Sequence, residues 1–155
     1  MLDGSALALM HVHVQIVTDL DTPPESDVIR WAQTAASYNK NVTGELTIRI
    51  VGENEAAQLN QQWLNRSGAT NVLAFPIGTP NTASPLLGDV VICADVANME
   101  ARRDEKLQYA HWAHLVIHGV LHLLGYDHGD DEDASEMEAL ECTMLHDLGY
   151  PDPYL

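Results

Sequence analysis

The stretch that most restricts this chain is a helical period running from about Asp104 to Leu124, which carries histidines at 111, 114, 118 and 122. At 100° per residue these fall at about 0°, 300°, 340° and 20°, so one helix face must accommodate four imidazoles. His118 and His122 are one turn apart and can both reach a single ion. Gly125 follows three residues later, and glycine readily takes the left-handed conformation that ends a helix. That turn lets the chain double back and bring His128 over the same ion. Three neutral imidazoles leave a fourth position for water, as catalytic zinc is usually held. A structural zinc site would want four protein ligands, often thiolates, and neither Cys93 nor Cys142 is near in sequence. His114 and His118 are also i and i+4, and geometry does not exclude that pair. The turn at Gly125 favours His118, His122 and His128, which leaves His111 and His114 as core groups or groups orienting the ligands. Asp127 reads equally as an orienting group, a general base or a turn residue.

The spacing is that of H-E-x-x-H-x-x-G-x-x-H, the three-histidine motif of metzincin proteases. Position 119 is glycine, however, and the missing glutamate is the base that deprotonates the metal-bound water in peptide hydrolysis. A metal here can still act as a Lewis acid, but peptidase activity is not expected.

The rest of the chain supplies a layered scaffold. "HVHVQIVTD" (11–19) and "GELTIRIV" (44–51) alternate with period 2 and read as strands. "NVLAFP" (71–76) is a short strand stopped by Pro76, and "GDVVICAD" (88–95) a buried one. Helices are expected within 21–40, 53–65, about 104–124 and about 131–148, the last closed by Gly149. A loop is expected over 77–85. The order β-α-β-α-β-β-α-α suggests one α+β (α/β layered) domain over 1–155, with the metal site at the end of a central helix. At 46% apolar residues the chain can bury a proper core.

Charge narrows the function. Seven Lys+Arg against 23 Asp+Glu give a net charge of −16, unlike a free-standing nucleic-acid binder that grips phosphates with a basic surface. From 130 to 152 there are nine acidic residues and no Lys or Arg. No run approaches 18 apolar residues, so no membrane span is expected. The first ten residues lack a basic start, and the two cysteines read as reduced core residues; both favour a cytoplasmic protein.

"HWAHLVIHGVLHLLGYDH" (111–128) resembles the signature of the YbeY family, bacterial metal-dependent endoribonucleases of ribosomal RNA maturation. "LNQQWLNRSGATNVLAFP" (59–76) is similar to the family's L-N-x-x-[YF]-R-x-x-D-x-x-T-[DN]-V-L-S-F-P stretch, and "LGDVVIC" (87–93) to its L-G-D-I-[VI]-I segment. "DEDASEMEALECTMLHDLGYPDPY" (131–154) fits its acidic closing helix. The resemblance implies one Zn2+ held by His118, His122 and His128, although other divalent transition metals accept the same ligands. It implies a mixed sheet of about four strands with about four to five helices, and a cleft between the metal and "TNVLAFP". It also implies single-strand-specific cleavage in 16S rRNA 3′-end maturation and ribosome quality control. The partners would be ribosomal RNA and ribosomal or ribosome-associated proteins, with no membrane.

The family's arginine after the aromatic of L-N-x-x-[YF]-R is Leu64 here, and its aspartate in that stretch is replaced by Ser67. Arg66, two residues on, is the candidate to meet phosphate, with Arg49 on a neighbouring expected strand. Asp127 is the best local candidate base. Two rivals are a zinc hydrolase of another substrate class, recruiting Asp89 or Glu138, and a non-catalytic assembly factor in which zinc only pins the helix end.

Overall fold

The computed structural model describes residues 10–38, 44–77, 86–127 and 129–155. Strands β1 (His11–Val17) and β2 (Glu45–Val51) pair in parallel, and β2 pairs in parallel with β4 (Leu86–Cys93). The short β3 (Val72–Pro76) is antiparallel to β4 and forms an edge, giving the order β1-β2-β4-β3. Helices α1 (Glu25–Ser37), α2 (Glu53–Leu64), α3 (Ala94–Arg103), α4 (Gln108–Leu123) and α5 (Asp131–Asp147) complete the described elements. This is the expected mixed four-stranded α+β arrangement.

Alternation along the strands decides what each sheet face carries. Leu46, Ile48, Ile50, Val90 and Ile92 point to one side, where they join a buried cluster with Trp31 of α1 and Trp112 and Val116 of α4. Burying each such aliphatic side chain contributes on the order of 1.5–3 kcal/mol. Val51, Leu73, Val91 and Cys93 point to the other side and pack with Ala56 of α2.

Helix α4 lies against β3 and β4. Gly119 sets how closely: a Cβ there would meet Val90 Cγ1 at 2.5 Å and Val72 Cγ2 at 3.2 Å. The glycine that breaks the protease pattern is therefore a point of contact between helix and sheet, and any side chain there would have to displace Val90 or part the two elements.

Helix α4 ends as the sequence suggests. Gly125 has φ of 99°. Its N–H donates to the His122 carbonyl at 3.1 Å, and the Tyr126 N–H donates to the Leu121 carbonyl at 3.0 Å. This paired closure is a Schellman motif. Helix α5 starts on Asp130, whose Oδ1 accepts the Asp133 N–H at 2.8 Å, and its first turn carries Asp131, Glu132 and Asp133. The Asp130 carboxylate satisfies one open N–H group, and the acidic first turn faces the positive end of the helix dipole.

Two boundaries differ from the sequence reading. The fourth strand stops at Cys93, and α3 follows at once, a helix not separated from its neighbours by sequence. Its buried face consists of Ala94, Ala97, Asn98 and Ala101, residues too small or too polar to give a clear apolar period. The chain then turns through Glu105, at φ 54°, so α4 begins at Gln108 rather than near Asp104. The expected 77–85 loop, apart from Ile77, lies outside the described residues.

Candidate active site

The last two turns of α4 bring His118 and His122 together. Their Nε2 atoms are 3.2 Å apart, and their rings stand at 78° with centroids 4.7 Å apart. Two nitrogens bound to one tetrahedral zinc at about 2.0–2.1 Å are separated by about 3.3 Å, so this spacing fits one edge of such a site. His128, the third expected ligand, lies outside the described residues.

Both histidines face a cavity of about 670 Å³. One wall is the end of α4 and its turn, with His118, Gly119, His122, Tyr126 and Asp127. The other comprises Leu64, Arg66 and the edge strand from Asn71 to Pro76, except Phe75. The structure thus gathers Arg66, Asp127, His118 and His122 in one place. Arg66 is exposed, and its guanidinium has no ion-pair or hydrogen-bond partner among the described residues. Leu64 lines the same wall and gives it apolar surface.

Arg49 belongs elsewhere. It sits on the opposite sheet face, where Nε and Nη2 donate to the Glu55 carboxylate at 2.6 and 3.0 Å and Nη1 donates to Gln15 at 2.9 Å. It lines a second cavity of about 430 Å³, together with Asp89 and the exposed Trp63. Of the carboxylates considered as alternative bases, Asp89 therefore faces away from His118, and the exposed Glu138 does not line the histidine cavity.

Behind the histidines lies a group that the sequence reading missed. Glu141 of α5 is 0% exposed. Its Oε1 accepts from His114 Nε2 at 2.5 Å and from the Tyr154 hydroxyl at 2.6 Å, and its Oε2 accepts from His118 Nδ1 at 3.0 Å. Burial by itself raises the carboxyl pKa, but hydrogen bonds from His114 and His118 outweigh it and hold the pKa down at about 2. Burial and the bond to Glu141 push the Tyr154 phenol upward. Glu141 has a sequence signal in retrospect: with Met137, Met144 and Leu145 it lies on the buried stripe of α5. Amid nine acidic residues it reads as one more solvated charge.

His114, His118 and Glu141 each offer a ligand atom within 4.8 Å of the others, a set that could itself hold a metal. It would use Nδ1 of His118, whereas the pair with His122 uses Nε2. His111 is held separately. Its Nε2 pairs with Glu100 Oε1 at 3.0 Å, and Glu100 also accepts from Asn71 Nδ2 at 3.1 Å, which ties α4 and α3 to the start of β3. Burial lowers the His111 pKa.

A family model described as Endoribonuclease YbeY matches residues 18–149. The chain is 52% identical over 147 residues to Endoribonuclease YbeY of Nitrosococcus oceani, covering 92% of this chain and 95% of that one. It is 50% identical over 148 residues to the protein of the same name from Pseudomonas savastanoi pv. phaseolicola, covering 94% and 89%. Its fold is similar to the solution structure of TM1509 from Thermotoga maritima, with a TM-score of 0.59, 24% identity, and 87% and 88% of the two chains covered. Among the described residues no helix is long and apolar enough to cross a membrane. The resemblance carried by the histidine signature and the flanking strands is thus confirmed, and the chain belongs to the YbeY endoribonuclease family.

Proposed function

We propose that this chain is a zinc-dependent, single-strand-specific endoribonuclease acting in 16S rRNA 3′-end maturation and ribosome quality control in the cytoplasm, with residues 1–155 forming one hydrolase domain. The observation that supports it best is the pair of facing Nε2 atoms, 3.2 Å apart, in the cavity that also holds Arg66 and Asp127. Family membership supplies the substrate class.

His118 and His122 would hold the ion, with His128 as the third ligand by sequence spacing. When bound, zinc supplies Lewis acidity at the scissile phosphodiester and lowers the pKa of water. Arg66, across the cavity, pairs with phosphate oxygens and balances the charge that develops in the transition state. Asp127, on the turn after Gly125, accepts the proton of the attacking water or ribose hydroxyl. Leu64, Tyr126 and Pro76 give that cavity apolar surface against which sugar and base can pack. A net charge of −16 makes binding to free RNA weak, so ribosomal or ribosome-associated proteins supply the specificity.

The test is cleavage of a single-stranded 16S rRNA fragment by the purified chain, with and without chelator. Zinc should restore activity to the chelated protein, and a 2′,3′-cyclic phosphate end would assign the ribose hydroxyl as nucleophile. Undiminished cleavage after complete metal removal would sink the proposal, as would cleavage of peptides and not RNA.

A further inference from the structure

Glu141 is a buried carboxylate with no Lys or Arg against it among the described residues; its partners there are two imidazoles and a phenol. A charge in such a place persists only if its oxygens are fully hydrogen-bonded. That demand fixes the donors. His114 must present Nε2–H, Tyr154 its O–H, and His118 its Nδ1–H. For His118 the consequence reaches the cavity: with the proton on Nδ1, the lone pair is on Nε2, the atom 3.2 Å from His122 Nε2.

We propose that Glu141, braced by His114 and Tyr154, is the positioning residue that fixes the tautomer and ring orientation of His118, so that its Nε2 lone pair is presented to the metal. The inference rests on the proposed placement of the ion at His118 and His122. Glu141 acts through His118 and does not touch substrate. The alternative, an ion ligated by His114, His118 and Glu141, would have to replace both histidine hydrogen bonds to a carboxylate with no exposure. Only the His118 and His122 edge opens on the cavity where RNA would enter.

The brace extends to residues 151–154. Lys106 Nζ donates to the Pro153 carbonyl at 2.6 Å, and the Tyr154 N–H donates to Asp152 Oδ1 at 2.8 Å. These bonds hold the segment so that the phenol reaches Glu141. A stretch outside the histidine signature thereby helps to set His118 within it.

Two measurements on the full chain test this. Nitrogen-15 NMR of the metal-free protein reads the His118 tautomer, and zinc titration against a competing chelator reads the dissociation constant. Wild-type His118 should carry its proton on Nδ1. Glu141→Gln, nearly the same shape, should mix the tautomers and weaken zinc binding about 10- to 100-fold. Tyr154→Phe leaves the carboxylate in place and should weaken it roughly threefold to tenfold; it carries both readouts should Glu141→Gln fail to fold. A folded Glu141→Gln protein with the wild-type tautomer and affinity overturns the inference. So does zinc binding that survives His122→Ala but not His114→Ala, since Glu141 would then be a direct ligand. If the wild-type chain bound no zinc, the proposed metal site would fail by itself, and the His118 tautomer in Glu141→Gln would still decide the role of Glu141.

Discussion

The sheet separates two cavities, about 670 Å³ on the α4 face and about 430 Å³ on the α2 face, and each holds one arginine. On the α2 face Arg49 is clamped in a bidentate pair with Glu55 and capped by Gln15, so its five donors are largely engaged within the protein. On the α4 face the Arg66 side chain has no protein partner among the described residues and stands across from two facing imidazoles. Engagement, not mere presence, separates an arginine that holds a fold from one that can meet a phosphate. The same contrast applies to the acids. Asp89 lies on the sheet face opposite His118 and His122, whereas Glu141 is bonded to His114 and His118.

The widest gap between the faces is expected in catalysis. His118→Ala should lower RNA cleavage by at least about 100-fold, because it removes one of the proposed metal ligands. Arg49→Ala and Asp89→Asn should stay within about twofold of wild type, provided each remains folded. Rates on one single-stranded RNA check this, and an Asp89→Asn loss as deep as that of His118→Ala would break the assignment of chemistry to the α4 face.

Acid should strike the α4 face through Glu141. Its folded pKa of about 2 lies below the ordinary 4.5. The stabilisation is therefore present in full above pH 4.5 and is lost as pH falls through the folded pKa. A depression of that size corresponds to about 3 kcal/mol. Urea midpoints between pH 6 and pH 2 should fall more steeply for wild type than for Glu141→Gln. Parallel curves would show that the carboxylate is not what the histidines stabilise.

Much of this was legible in sequence because regular periods report burial. The alternation of β2, the histidine face of α4 and the Gly125 turn all follow from local pattern, and each is seen in the fold. What stayed hidden depends on contacts between elements distant in the chain. Helix α3 buries small residues and so lacks an apolar signal. Glu141 lies 23 residues from His118 and hides among acidic neighbours. Arg49 and Arg66 look alike in sequence, and only the sheet face on which each lies tells them apart. Gly119 is the most instructive case. Its sequence meaning was a missing base; in the fold it is the place where α4 meets Val90 and Val72.

That contact gives a packing test of the α4 face. Gly119→Ala places a methyl group 2.5 Å from Val90 Cγ1, so helix and sheet must separate or the valine must move. Overpacking of this kind costs about 1–3 kcal/mol. Thermal or denaturant unfolding should show that loss, and Gly119→Ala combined with Val90→Ala should recover part of it. A Gly119→Ala protein as stable as wild type would mean that the helix is free to lift from the sheet, and the spacing of the cavity walls would lose its explanation.

The smallest expected effect separates the two arginines directly. Arg66→Ala should weaken RNA binding severalfold and reduce the salt dependence of binding by about 0.7 in log–log slope, the signature of one lost phosphate contact to a single strand. Arg49→Ala should leave that slope unchanged, because its guanidinium is already paired with Glu55. Binding of a metal-free protein to single-stranded RNA across a salt series reads both variants without interference from cleavage. Equal slopes for Arg66→Ala and wild type would remove Arg66 from the phosphate role. With Leu64 in the family's arginine position, the cavity would then recognise RNA through its ion and its apolar wall alone.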